Sequence, residues 1–171
     1  MLVIISDLHL TDGTLGATIS PGAFEIFAEE LRDAAMAASW RADGKYRPID
    51  RVDLLLLGDG LDVIRSARWL DAAVRPWDSI DRPEMIELVS KITSDILARN
   101  EASVNVLRNL AAPGQFTIPA ADRQGRPASG SQVQPVGLMM RYMVGDHDWF
   151  YHLPGRGYDL SRQAIVRQLG L

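Results

Sequence analysis

The chain has 171 residues, 47% hydrophobic content and a formal net charge of -4. That size and apolar share suit one domain with its own core, and the acidic balance argues against a protein that binds nucleic acid chiefly by neutralising phosphate. Cysteine is absent, so disulfides and thiolate metal sites are excluded and any metal must sit on oxygen and nitrogen ligands.

The apolar run Leu2–Ile5 stops at Asp7 and lacks a basic flank, too short for a signal-peptide core. No run reaches the ~18 apolar residues of a membrane span, and a cytoplasmic location is the expectation. Leu2 to Ser6 is β-branched and unalternating, the pattern of a strand buried on both faces. Asp7 and His9 follow it. Past a turn-rich stretch, Phe24, Phe27, Ala28, Leu31, Ala35 and Ala38 recur at helical spacing, with Pro21 in the first turn and Gly44 beyond the end. Val52 to Leu57 again reads as a fully buried strand, closing on Gly58-Asp59-Gly60-Leu61-Asp62. Strand, helix, strand is the crossover unit of a parallel sheet, so the fold class is α/β.

From Pro83 to about Leu110 the apolar spacing predicts one long helix or two consecutive ones. Residues 112–137 hold four prolines and four glycines and read mostly as loop, with a short strand at Phe116–Ile118. Leu138–Val144 is the third expected buried strand, and Gly145-Asp146-His147-Asp148 follows it. A final helix is expected from Arg156 to Leu171. No composition break or internal repeat divides the chain.

Ligands of open α/β sheets lie beyond the carboxyl ends of the strands, where all three acidic or histidine-bearing segments fall. Asp7 and His9 are two apart, so in extended backbone they share a face and could hold one ion. Asp59 follows a glycine, where the chain can turn sharply and aim the carboxylate off the strand end. Taken singly, each segment has a plainer reading: Asp-x-His can be a cap and a surface histidine, and Asp146-His147-Asp148 a turn. Arg65 and Arg68 could reach a phosphate or simply be solvated on a helix face. His152 is a substrate contact or a surface residue, and the four tryptophans suit packing, with Trp149 nearest the third segment. A phosphate loop is absent, no Gly-x-Ser-x-Gly elbow supports Ser6 as a nucleophile, and neither Lys45 nor Lys91 ends a late strand as a receiver domain requires.

Together, Asp7-x-His9, Gly58-Asp59-x-x-Asp62 and Gly145-Asp146-His147-Asp148 resemble the calcineurin-like metallophosphoesterase family, whose blocks run Asp-x-His, Gly-Asp-x-x-Asp/Glu and Gly-Asn-His-Asp/Glu. The third block departs at Asp146, where the family has asparagine. The resemblance implies a layered sheet with helices packed on it, a four-layer αββα sandwich when complete. It covers the N-terminal half of a typical family domain: with His9, His147 and His152 as the only histidines, the family's later histidine and its Gly-His-x-His are absent, and a truncated chain, a fragment of a longer protein, is the expectation over a shortened relative. Residues 1–171 form one domain in this reading, with a helical and loop insertion at about 64–137 that could cap the site.

By resemblance, Asp7 and His9 hold a first metal, Asp59 bridges to a second, Asp146 ligates the second, and His147 stands by the leaving group, oriented by Asp62. The implied cofactors are two divalent ions, manganese first, with iron, zinc or magnesium as alternatives. The implied activity is hydrolysis of phosphomonoesters or phosphodiesters by water activated between the ions, with Arg65 and His152 as candidate substrate contacts and nucleic acid a partner only as substrate. The alternative is a catalytically incomplete relative serving as a metal-binding scaffold. Asp146 in place of asparagine adds a negative charge that should tighten metal binding and repel a phosphate oxygen.

Overall fold

A computed structural model describes residues 1–171. Strands β1 (Leu2–Ile5), β2 (Arg51–Leu57) and β5 (Gly137–Met143) form a parallel three-stranded sheet in the order β1-β2-β5. Between β1 and β2 runs α1 (Pro21–Ala38), and between β2 and β5 come the one-turn α2 (Arg68–Asp71), then α3 (Pro83–Arg99) and α4 (Glu101–Ala111). A 3₁₀ turn (Trp149–His152) and α5 (Arg156–Leu169) complete the chain. The α/β class follows the sequence reading.

The sheet is buried on one face only. Val52, Leu54 and Leu56 of β2 and Met140 of β5 point inward and are 0–6% exposed, packed with Met85, Val89, Ile92 and Ile96 of α3 and Ile165 of α5, or with Ala28, Leu31 and Ala35 of α1. Each such aliphatic side chain removed from water contributes about 1.5–3 kcal/mol. On the opposite face Leu2, Ile4, Leu57, Met139 and Met143 are exposed, with Asp53 bridging Arg51 and Arg141 among them. The expectation of strands covered on both sides is therefore corrected. Sheet residues alternate in direction whatever their chemistry, and this molecule packs its helices against a single side.

The helical region resolves into two helices. Asn100 interrupts them: buried, its side-chain amide donates to the carbonyls of Ile96 at 2.7 Å and Thr11 at 2.9 Å, while its oxygen accepts the Thr18 hydroxyl at 2.5 Å. The same contacts pin the loop between β1 and α1. Asp12 reinforces this, accepting from Ser66 at 2.5 Å and from Thr14. The Pro- and Gly-rich stretch is more ordered than expected, with β3 (Thr117–Pro119) and β4 (Val133–Pro135) paired antiparallel. Proline tolerates this because two-stranded ribbons are all edge, where a missing N–H need not break a ladder. Of the tryptophans, Trp69 is buried and stacks on Phe150, whereas Trp40 and Trp77 are exposed.

Candidate metal centre

Beyond the carboxyl ends of β1 and β2 the two chains stay side by side. The His9 N–H donates to the Asp59 carbonyl at 2.8 Å, the Leu10 N–H to the Gly60 carbonyl at 3.1 Å, and the Asp62 N–H to the Leu10 carbonyl at 2.8 Å. Parallel pairing thus resumes at Leu10 and Leu61, and the residues between are forced into tight turns. Asp7, His9 and Asp59 have φ of 56°, 43° and 48°, the only non-glycine residues with positive φ in the molecule. The left-handed region costs an L-residue roughly 1–2 kcal/mol, and such outliers concentrate at functional sites.

This conformation corrects the expectation that Asp7 and His9 meet on one face of an extended strand. Their approach comes from the turns: His9 Nε2 lies 3.9 Å from Asp7 Oδ1. Asp7, His9 and Asp59 each present a ligand atom within 4.8 Å of the others. Two carboxylates and an imidazole form a donor set suited to a hard or borderline divalent ion.

The loop after β5 closes the site. The His147 N–H donates to Asp59 Oδ1 at 2.9 Å, tying the third segment to the second. Gly145 is required here by contact: a Cβ at this position would stand 2.6 Å from the Asp59 backbone nitrogen and against its carboxylate. Asp146, exposed, lies near the Asp59 carboxyl, and its charge acts on the His147 ring. It is not within the tight group formed by Asp7, His9 and Asp59.

Asp62 does more than the sequence suggested. Its fully buried carboxylate holds both imidazoles, accepting from His147 Nδ1 at 2.8 Å on one oxygen and from His9 Nδ1 at 3.0 Å on the other. The rings meet edge to face with centroids 4.5 Å apart. Although His9, Asp62 and His147 also cluster closely enough to ligate, both Asp62 oxygens are engaged. The group therefore orients the histidines: Nδ1 of each carries hydrogen toward Asp62, leaving Nε2 of each as the outward nitrogen.

Electrostatics follow from these contacts. Burial opposes the charge on Asp59, but the His147 N–H and the neighbouring imidazoles outweigh it and hold this carboxyl below the ordinary range. The hydrogen bond to Asp62 holds His147 protonated above its ordinary 6.5, against the opposing effect of burial and with help from the charges of Asp62, Asp59 and Asp146.

The two expected substrate contacts, Arg65 and His152, are both exposed. Arg65 bonds to Asp62 Oδ1 through its backbone N–H, at 3.0 Å, with its side chain exposed. His152 ends the 3₁₀ turn, exposed and outside both ligand groups. Sequence reasoning gave no role to Asp148 or Tyr142, which are bonded to each other beneath the centre. The repeated acid in Asp146-His147-Asp148 was the available signal for the first, and none marked the second. Compared with protein-family models, curated proteins and solved structures, the chain matches none.

Proposed function

We propose that this chain is a metal-dependent hydrolase of phosphomonoesters or phosphodiesters, related to the calcineurin-like metallophosphoesterases. One observation carries the reading: the three residues held in left-handed backbone together make up one of the converging ligand groups. In this reading Asp7, His9 and Asp59 hold one divalent ion, with Asp59 and Asp146 toward a second. When bound, such ions neutralise phosphoryl charge and make water a nucleophile near neutral pH.

The chain's own residues supply the rest. His9 donates Nδ1–H to Asp62, which leaves its Nε2 lone pair facing the Asp7 carboxylate, the form a metal takes. His147, whose protonated form Asp62 favours, would give its Nε2–H to the departing alkoxide oxygen. Asp62 holds both rings and so couples ligation to proton transfer. Arg65 is the nearest candidate for a phosphate contact, since its backbone is fastened to Asp62. The exposed apolar face of the sheet supports the layered αββα arrangement, in which such a face is internal.

The test is hydrolysis of p-nitrophenyl phosphate and bis(p-nitrophenyl) phosphate by chelator-stripped protein, with and without Mn²⁺. Metal-restored turnover, abolished by Asp59→Asn, is the expected result. Turnover that persists in chelator would exclude the mechanism. A second reading, ion binding without turnover, is favoured by the histidine content: only two imidazoles stand at the centre. Stoichiometric metal binding with neither ester cleaved would select it.

A further inference from the structure

Beneath the centre lies a buried carboxylate that the hydrolytic reading does not use. Asp148 is fully buried. Its Oδ1 accepts the Gly145 N–H at 2.6 Å, and its Oδ2 accepts the Gly60 N–H at 3.1 Å and the Tyr142 hydroxyl. Gly60 directly follows Asp59, and Gly145 directly precedes Asp146. One side chain therefore grips the backbone next to a candidate ligand on each of two loops.

Sheet pairing does not join these two loops to each other. The β2–β5 register ends at Leu57 and Met143, and the last backbone bond of that ladder is from the Gly58 N–H to the Met143 carbonyl at 3.1 Å. Beyond it, Asp148 takes the place of the ladder. The Tyr142 ring presses on the same glycine, filling the space where a Gly60 side chain would stand, so ring and carboxylate seize it from two sides. Three donors converge on the group, and an ionised carboxylate, an acceptor with no hydrogen to give, satisfies all of them. The amide of asparagine would turn donors against one of the N–H groups.

We propose that Asp148, locked by Tyr142, is a positioning residue that sets the spacing between the Asp59 and Asp146 loops and so the affinity of the centre for a divalent ion. The proposal rests on the metal-centre reading above. Asp59 transmits the effect, because its Oδ1 is bonded to the His147 N–H of the same loop that Asp148 anchors.

Calorimetric titration with MnCl₂ tests this on the whole chain, well below its melting temperature, for wild type, Asp148→Asn, Tyr142→Phe and Leu110→Ala. Leu110 lies in the separate apolar cluster with Val52 and Phe116 and controls for general destabilisation. Partners that orient metal ligands typically set affinity by about 10–100-fold. Asp148→Asn is expected to weaken Mn²⁺ binding by that factor and Tyr142→Phe by a smaller one, while Leu110→Ala melts lower and binds as wild type. Wild-type affinity in folded Asp148→Asn, or an equal loss in Leu110→Ala, overturns the positioning role alone. If Asp148→Asn does not fold, Tyr142→Phe decides, and unchanged affinity there overturns it. Failure of the wild type to bind Mn²⁺ overturns the metal centre and the positioning role with it.

Discussion

Replacing Asp7 by glycine should make the metal-free protein more stable. The Asp7 side chain is 66% exposed, His9 Nε2 lies 3.9 Å from its carboxylate, and it sits at φ 56°. Little that stabilises the fold is lost with it. Relief of a left-handed L-residue is worth about 1–2 kcal/mol, with aspartate at the low end, and the extra backbone freedom of glycine in the unfolded chain offsets roughly 0.5–1 kcal/mol. A net gain of up to about 0.5 kcal/mol remains, which for a domain of this length raises Tm by up to about 1–2 °C. Asp7→Ala keeps the Cβ, loses the tolerance of aspartate for this region, and should melt below wild type. In Mn²⁺ at a hundredfold excess over Kd the order reverses: wild type gains about 2.7 kcal/mol, and Asp7→Gly, short of a ligand, gains little. Thermal unfolding in chelator and in Mn²⁺ reads both arms. A lower Tm for Asp7→Gly in chelator refutes the strain argument, and an undiminished Mn²⁺ shift refutes ligation by Asp7.

The Asp62–His147 pair gives a pH signature readable by NMR titration of the metal-free protein. His147 should titrate above 6.5, and Asp62→Asn should lower that value, since the bond to Asp62 is the main cause of the shift. A raised folded-state value means that the pair's contribution to stability is complete below pH 6.5 and is lost as pH rises through the folded value. A His147 titration unchanged by Asp62→Asn would remove the pairing. One-sided burial of the sheet is tested by urea unfolding. Ile4→Lys, on the open face, should cost within about 0.5 kcal/mol, against about 2–5 kcal/mol for Leu56→Ala on the packed face. Comparable losses at both positions would mean that the outer face is covered in solution.

The α/β class, the three parallel strands, the longer helices and the clustering of acids and histidines at one sheet edge were legible in the sequence. Those features rest on local chemistry: β-branched runs, helical spacing, and glycines that end strands. Which side of each strand is buried was not legible, because Leu2, Ile4 and Leu57 are as apolar as Val52 and Leu54, and only the placement of α1, α3 and α5 decides the packed face. Asn100 breaking the helical run follows from partners at Thr11 and Thr18, far away in sequence.

At the site, residue type determined which side chains could ligate, while tertiary structure decided how they meet. Asp7 and His9 converge through left-handed turns rather than an extended strand, because the backbone of the first loop must bond to that of the second at Asp59 and Gly60. Sharing of Asp62 by both histidines and the grip of Asp148 on Gly60 likewise depend on contacts between residues 50 to 90 positions apart. Sequence spacing carries information along one strand or helix turn, and a centre assembled from three strand ends is defined by distances across the sheet, which only the folded chain sets.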